Sequence, residues 1–507
     1  MEQIWEDDKF VPITKLKEII SPEILHRVQA MSPGRVDFNS ARIIATLIYI
    51  DKLDEHALGS LYKYHLTDRN LPFTFNRERA CLDTNQASTS TYGEVGSSNC
   101  GTLSFELFHH KVDHDRFERS QWIFMAPSFD SSDTKDYDFD AKCPLPILSR
   151  SREPRISSTA KVWKVQIHPG HINHNLPMTE GQNPWLALKE MESDSEKEYF
   201  REQHALRKMF EFNHPNLIKV IASFKRGQKY FFLFPWAHGG DLRSFWQNPD
   251  NDKQERSPRF MRWILEQICG LASAIRKLYF PQKGKTEENC RHGDIKPKNI
   301  LLFPDDGLGT LCIADAGLAR FHVQITAKRT YGSTTGGGTV EYAPPESRDD
   351  DPHVARSRSY DTWSFACVLL EFLVWALGGN SEYAKFEAAR RPSRKSREPR
   401  FFNINTSRRG EETYTIHPQV EKYINMVESH ERCKGRMWIK DLVRVIRKDL
   451  LVVDPTKRMP SDKLDDFLED LLKTAANDKA YLVGNSRHTG FQALPFKKNG
   501  FSVMLQK

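Results

Sequence analysis

The chain has 507 residues, a formal net charge of +7 and 39% hydrophobic residues. That length exceeds one compact domain, and the apolar content suffices for packed cores. The mild basic excess does not mark a nucleic-acid binder; the eight cysteines, with no C-x-x-C pair among them, argue against zinc ribbons and dithiol redox motifs and fit a reducing compartment.

The opening stretch MEQIWEDDKF is acidic and lacks the apolar core of a signal peptide. The following segment reads as mostly helical. Ile43, Ile44, Leu47, Ile48 and Ile50 form an apolar face, continued at helical spacing by Leu53, Leu58, Leu61 and Tyr62. Residues 83–103 are rich in Ser, Thr, Asn and Gly and read as a flexible loop. The polar stretch 128–142, ahead of Pro144 and Pro146, marks a domain boundary. Beyond it Lys161–Ile167, Trp185–Glu190, Lys219–Phe224 and Lys229–Phe234 read as strands and Lys197–Phe212 as a helix; helical segments dominate from Phe260 onward. A small β-rich lobe followed by a larger helical lobe is an α+β, two-lobed arrangement. Of the longest apolar stretches, Ala41–Ile50 is too short to span a bilayer and Ala366–Leu377 contains Glu371. The expectation is a soluble intracellular protein with no membrane partner, cytoplasmic and with access to the nucleus left open.

The chemistry concentrates in Arg291-His292-Gly293-Asp294-Ile295-Lys296-Pro297-Lys298-Asn299, followed by the apolar run Ile300–Phe303. A second apolar run, Thr310–Ala314, ends in Asp315-Ala316-Gly317. Two acidic residues and an asparagine at strand edges suit phosphoryl transfer, which needs a carboxylate to orient the attacking hydroxyl and oxygen ligands for Mg²⁺.

These motifs resemble the protein kinase superfamily, whose catalytic loop reads H-R-D-x-K-x-x-N, whose metal motif reads D-F-G and whose activation segment closes with A-P-E. Here the counterparts are H-G-D-I-K-P-K-N, D-A-G and Ala343-Pro344-Pro345-Glu346. The resemblance implies the two-lobed kinase fold, with ATP and Mg²⁺ as cofactors and a protein substrate with a Ser or Thr acceptor. It implies Asp294 as catalytic base, Lys296 as a γ-phosphate contact, and Asn299 and Asp315 as metal ligands. Leu186-Ala187-Leu188-Lys189 is similar to the V-A-I-K strand, so Lys189 would hold the α- and β-phosphates, paired with Glu202 or its rival Glu198. Phe234-Pro235-Trp236-Ala237 resembles the hinge: Phe234 as gatekeeper, the Pro235 and Ala237 backbone on adenine, Asp241 towards the ribose. Ser157, Ala160, Val162, Ala187 and Leu301 complete the implied nucleotide set. Thr339 would bridge Asp294 and Lys296, Asp361 would brace the catalytic loop, and Arg458 is placed to pair with Glu346. Six basic residues at 390–400 read as a solvated insertion or, on the functional reading, a docking patch. The histidines at 168, 171 and 174, and those at 109, 110 and 114, read as solvated connections rather than metal ligands.

Three departures stand out. The glycine-rich loop has Arg155, Ser157 and Ala160 at its glycine positions, where close backbone approach to phosphate favours glycine. Gly293 replaces the arginine that binds an activation-segment phosphate, so activity is not expected to depend on phosphorylation of Thr330, Ser333, Thr334 or Thr335. Ala316 replaces the aromatic ring of D-F-G. The combination is similar to a group of fungal protein-kinase-like proteins. The expected domains are a helical N-terminal domain at 1–145, able to regulate or bind a partner protein, a kinase domain at 146–475 (146–240 and 241–475 as its lobes) and a tail at 476–507. The leading function is an ATP-dependent serine/threonine protein kinase. The alternative is a pseudokinase serving as a nucleotide-binding scaffold or signalling adaptor.

Overall fold

The computed structural model describes residues 9–31, 38–85, 102–130, 136–156, 160–173, 183–192, 196–252, 257–279, 288–305, 307–323, 339–348, 359–391, 399–433 and 437–484. The chain divides into two compact units. One comprises the residues up to Gly239 with Leu301–Asp305 and Cys312–Phe321; the other comprises Gly240–Ile300, Asp306–Leu311 and the residues from His322.

In the first unit, helices α1 (Ile13–Ile19), α2 (Pro22–Met31), α3 (Ala41–Tyr49) and α4 (Glu55–Lys63) precede a three-stranded antiparallel sheet of β1 (Thr74–Asn76), β2 (Cys81–Asn85) and β3 (Thr102–Phe105) and the helix α5 (Lys111–Ser120). Ile43 and Leu47, one turn apart on α3, join Leu58, Leu61, Leu82, Phe105 and Phe117 in one core. Helix starts leave N–H groups without intrahelical acceptors. At α4 the Asp54 carboxylate accepts from Ala57 at 2.8 Å, and at α3 Asp68 accepts from Arg42 and Ile43 at 2.9 and 3.1 Å. The ends of the Ser/Thr/Asn/Gly-rich stretch are strands β2 and β3; residues 86–101 lie outside the described residues.

A larger sheet follows, formed by β5 (Asp136–Phe139), β6 (Ile147–Arg150), β7 (Arg155–Ile156), β8 (Ala160–Ile167), β10 (Trp185–Met191), β11 (Ala222–Arg226) and β12 (Lys229–Pro235) in the order β5-β11-β12-β10-β8-β6, with β7 also on β8. A short parallel pair, β4 (Phe129–Asp130) with β9 (Ile172–Asn173), lies outside it. Val165, Ile167, Leu186, Leu188, Phe231 and Leu233 fill a core on one sheet face, the period-two signature of strands. The polar stretch 128–142 therefore contains a strand: β5 alternates Asp136 and Asp138 with Tyr137 and Phe139, and runs parallel to β11 at the sheet edge. Helix α6 (Glu196–Phe212) belongs to the same unit.

The histidine-rich connection at 168–174 is not solvated as expected. His171 is buried: its Nε2 accepts the Ile13 N–H at 2.9 Å and its Nδ1 donates to the Pro127 carbonyl at 2.9 Å. It thereby ties the start of α1 to the chain beside β4. His114 is buried too, accepting the N–H groups of Leu107 and Phe108. His174 lies outside the described residues.

The second unit is mainly helical: α7 (Leu242–Gln247), α8 (Pro249–Asp252), α9 (Pro258–Tyr279), α10 (Tyr360–Ala389), α11 (Pro418–Ser429), α12 (Trp438–Val445) and α13 (Ser461–Asn477). Helix α10 is long and apolar enough to cross a membrane by length and composition, but 83% of its apolar window is buried inside the structure. It is a core helix, lined by Trp363, Phe372 and Trp375. The short strand β13 (Glu288–Arg291) leads into the loop at 292–299, after which β14 (Ile300–Phe303) pairs with β15 (Thr310–Ile313).

Candidate active site

Strand register gathers one set of the implied residues in the first unit. Across β8, β10 and β12, Val162 faces Lys189, Lys189 faces Phe232, and Ala187 faces Phe234; Ala160 faces Met191. Direct cross-strand partners share a face and residues two apart share it too. Ala160, Val162, Ala187, Lys189 and Phe234 therefore lie on one face, opposite the apolar core. Pro235 pairs with Leu186, and the following Trp236 N–H donates to the Trp185 carbonyl at 3.2 Å, immediately before Ala237. Leu301 is half-buried in β14. Ser157 lies outside the described residues.

On that face the Lys189 ammonium donates to Glu202 Oε1 at 2.5 Å and to Asp315 Oδ1 at 3.1 Å. Glu202, from the second turn of α6, is thus the carboxylate that meets the lysine; Glu198 sits in the first turn. Lys189 and Glu202 are nearly inaccessible, whereas the Asp315 side chain is 44% exposed. Burial alone would depress the lysine, yet the carboxylates of Asp315 and Glu202 raise it above its ordinary value. Burial also pushes Glu202 up, partly offset by Lys189. One cation thus serves two carboxylates, and it stays charged. Asp315 itself has φ +66°, a left-handed conformation uncommon outside glycine and concentrated at functional positions. The next residue, Ala316, is fully buried, and its turn packs on α6.

At the first glycine position of the resemblance, Arg155 lies opposite Val162 in β7. Its guanidinium sits 5.0 Å from the Trp236 ring centre, and Lys164 sits 5.3 Å from the same ring.

The second unit holds the loop at 292–299. Asp294 Oδ2 accepts from Lys296 Nζ at 2.6 Å and from Asn299 Nδ2 at 2.9 Å; Oδ1 accepts the Thr339 N–H at 3.1 Å. Lys296 also donates to the Thr339 hydroxyl at 2.6 Å, so Thr339 spans both residues. Asn299 spends its amide nitrogen on Asp294, both on the carboxylate and on the main-chain carbonyl at 2.9 Å. Beneath the loop, fully buried Asp361 accepts the N–H groups of His292 and Gly293 at 2.7 and 2.8 Å and the Tyr279 hydroxyl at 2.8 Å. Gly293 has φ +80°, where glycine alone avoids a steric penalty. Arg458 grips Glu346 with two nitrogens at 2.8 and 3.1 Å. Asp241 caps α7, accepting the Ser244 N–H at 2.9 Å.

Arg390 departs from the expectation of a solvated basic run: it is fully buried and paired with Glu371 and Glu341. Arg391 pairs with Glu387, while Arg394, Lys395 and Arg397 lie outside the described residues. Thr330, Ser333, Thr334 and Thr335 also lie outside them.

The donor chemistry fits the implied cofactors. An apolar strip beside a buried ammonium suits a base with its phosphates. The Asp315 carboxylate and the Asn299 carbonyl, its amide nitrogen already committed, are hard oxygen donors of the kind Mg²⁺ takes.

Compared with known proteins, the chain matches the protein kinase domain family over residues 178–480. It belongs to the protein kinase family. It is 30% identical over 307 residues to Aurora kinase A-A of Xenopus laevis, covering 59% of this chain and 58% of that one. It is 32% identical over 199 residues to activin receptor type-1 of Mus musculus, covering 38% of this chain and 36% of that one. With the probable serine/threonine-protein kinase nek1 of Dictyostelium discoideum it shares 27% identity over 179 residues, 32% of this chain and 33% of that one. The chain thus spans between a third and three-fifths of the length of these relatives.

Proposed function

We propose that this kinase-family chain is an ATP-dependent serine/threonine protein kinase with Asp294 as its catalytic base. The observation that carries the reading is the closed set of contacts on Asp294: both carboxylate oxygens are engaged, by Lys296 and Asn299 on one side and the Thr339 N–H on the other. A carboxylate fixed in this way has one orientation in which to accept the proton of an incoming hydroxyl. Lys296 sits within hydrogen-bond distance of that carboxylate and brings positive charge to where the transferring group gathers negative charge. Lys189, anchored by Glu202, would hold the nucleotide's phosphates; Asn299 and Asp315 would hold the divalent ion. When bound, ATP and that ion supply the phosphoryl group and neutralise part of its charge. Lysine two places after the base is the serine/threonine signature in the family resemblance.

Arg155 supports the second reading, a nucleotide-binding scaffold, because a long cationic side chain occupies a position where close phosphate approach favours glycine. The test is transfer of labelled γ-phosphate from ATP to the protein itself and to a basic protein substrate, with wild type beside Asp294→Asn. Transfer by wild type that falls at least about 10²-fold in the variant supports the kinase. Equal transfer by both removes Asp294 from the chemistry.

A further inference from the structure

Strand β5 belongs to the N-terminal region, yet it lies parallel along β11, with Asp136 opposite Ser223. Its register is held by rings: Phe139 packs on Phe224, and Phe129 packs on Tyr137 and Phe224. From this edge the Asp136 carboxylate reaches helix α6. Oδ2 accepts from Arg207 Nη2 at 2.5 Å, and Oδ1 accepts from Gln203 Nε2 and, at 3.2 Å, from the Ser223 hydroxyl. Gln203 Nε2 also donates to the Ser223 and Tyr199 hydroxyl oxygens, both at 3.1 Å. Gln203 and Arg207 are one turn apart, so a single carboxylate holds two successive turns of α6.

Gln203 is the residue after Glu202, and Glu202 is the α6 carboxylate that binds Lys189. A shift of α6 by a fraction of a turn separates that pair. In the family resemblance an aromatic ring follows the metal-motif aspartate; here the residue after Asp315 is an alanine, so that ring is not available to pack against α6. The N-terminal region supplies a hold of its own on the same helix.

We propose that Asp136 is a positioning residue which keeps α6 where Glu202 meets Lys189, making the N-terminal region a built-in activator of phosphoryl transfer. This rests on the kinase reading above, but its geometry can be tested apart from it. The experiment compares full-length wild type, Asp136→Ala and, as a control on the same strand, the exposed Asp138→Ala. Hydrogen exchange of the α6 amides is read in all three. The proposal expects about tenfold faster exchange across 196–212 in Asp136→Ala and no change in Asp138→Ala. Phosphate transfer is read in parallel, with Glu202→Gln and the double variant Asp136→Ala/Glu202→Gln added.

Acting through Glu202, Asp136→Ala lowers kcat about 10- to 100-fold on its own and adds nothing in the Glu202→Gln background; Asp136→Asn, which keeps the bonds to Gln203 and Ser223, restores part of the loss. If the losses multiply in the double variant, Asp136 is merely structural and the proposal fails. If wild type transfers no phosphate, the kinase reading fails while the exchange measurement still decides the brace. Unchanged α6 exchange in Asp136→Ala overturns the proposal whatever the activity.

Discussion

Arg390 and Glu371 form an ion pair from which water is fully excluded, both side chains having zero exposure. Glu341 lies 3.4 Å from the same guanidinium, the Tyr342 hydroxyl donates to the other oxygen of Glu371 at 2.9 Å, and the rings of Phe386 and Phe401 lie 4.4 and 4.0 Å from the guanidinium carbon. Glu341 and Tyr342 follow Thr339 in sequence, so the pair anchors the stretch that meets Asp294. Removing one partner of a buried pair leaves an uncompensated charge. Arg390→Met is expected to destabilise the protein by about 3–5 kcal/mol in urea denaturation. Arg391→Ala, which breaks a half-exposed pair with Glu387, should cost about 0.5 kcal/mol. Similar small losses from both variants would contradict the buried-pair account.

The same cluster gives a pH dependence. Burial pushes Glu371 up to about 7, a rise that Arg390 offsets only in part. Burial likewise raises Glu341, and Arg390, Glu341, Tyr342, Arg243, Tyr383 and Cys367 are charged or titratable groups that interact with Glu371. The folded protein therefore takes up this proton more readily than the unfolded chain, whose carboxyl titrates near 4.5. The resulting stability is full below the unfolded value and is lost as pH rises through about 7. Measured by urea denaturation, Glu371→Gln should flatten the stability profile between about pH 5 and about pH 8 relative to wild type. A profile of unchanged slope would count against it.

His171 has the opposite sign. Burial holds its imidazole below the ordinary histidine value, and the Nε2 lone pair is taken by the Ile13 N–H. Its contribution is present above the unfolded value and is lost as pH falls through the folded one. Acidification should therefore loosen α1, seen as faster hydrogen exchange at residues 13–19. In His171→Phe, which cannot accept the bond, α1 should exchange fast at neutral pH and gain little more on acidification. Equal acid sensitivity in both proteins would exclude His171 as the latch.

Gly293 has a backbone reason for its identity. At φ +80° a Cβ adds about 1–2 kcal/mol of strain, so Gly293→Ala should lower the unfolding free energy by that amount. Asp361 already holds the Gly293 N–H, which keeps the loop from relaxing to relieve the strain. A neutral substitution would mean that it relaxes nonetheless.

Much of the fold was legible because its signals are local. Trp185–Met191 and Lys229–Pro235 show the apolar content of interior strands, α6 shows helical periodicity, and Asp294 and Asn299 carry a fixed spacing in one loop. What stayed hidden depends on partners distant in sequence. Arg390 opens a run of basic residues that reads as solvated; its burial requires Glu371, 19 residues back in α10, and Glu341 from before that helix. Asp136 stands in an acidic, polar stretch, and only the alternation Asp-Tyr-Asp-Phe hinted at a strand there. His171 looked like part of a loop because nothing local announces that the Ile13 N–H and the Pro127 carbonyl converge on its ring.

The central claim is that Lys189 and Asp294 serve transfer of phosphate from ATP to a serine or threonine. Its most direct test incubates the full-length protein with labelled ATP, Mg²⁺ and a basic protein substrate, and identifies the labelled amino acid, with wild type beside Lys189→Met. The account predicts label on serine or threonine with wild type and at least about 10²-fold less with the variant. Absence of label with wild type, while ATP still raises its thermal midpoint, would contradict it and leave a nucleotide-binding scaffold.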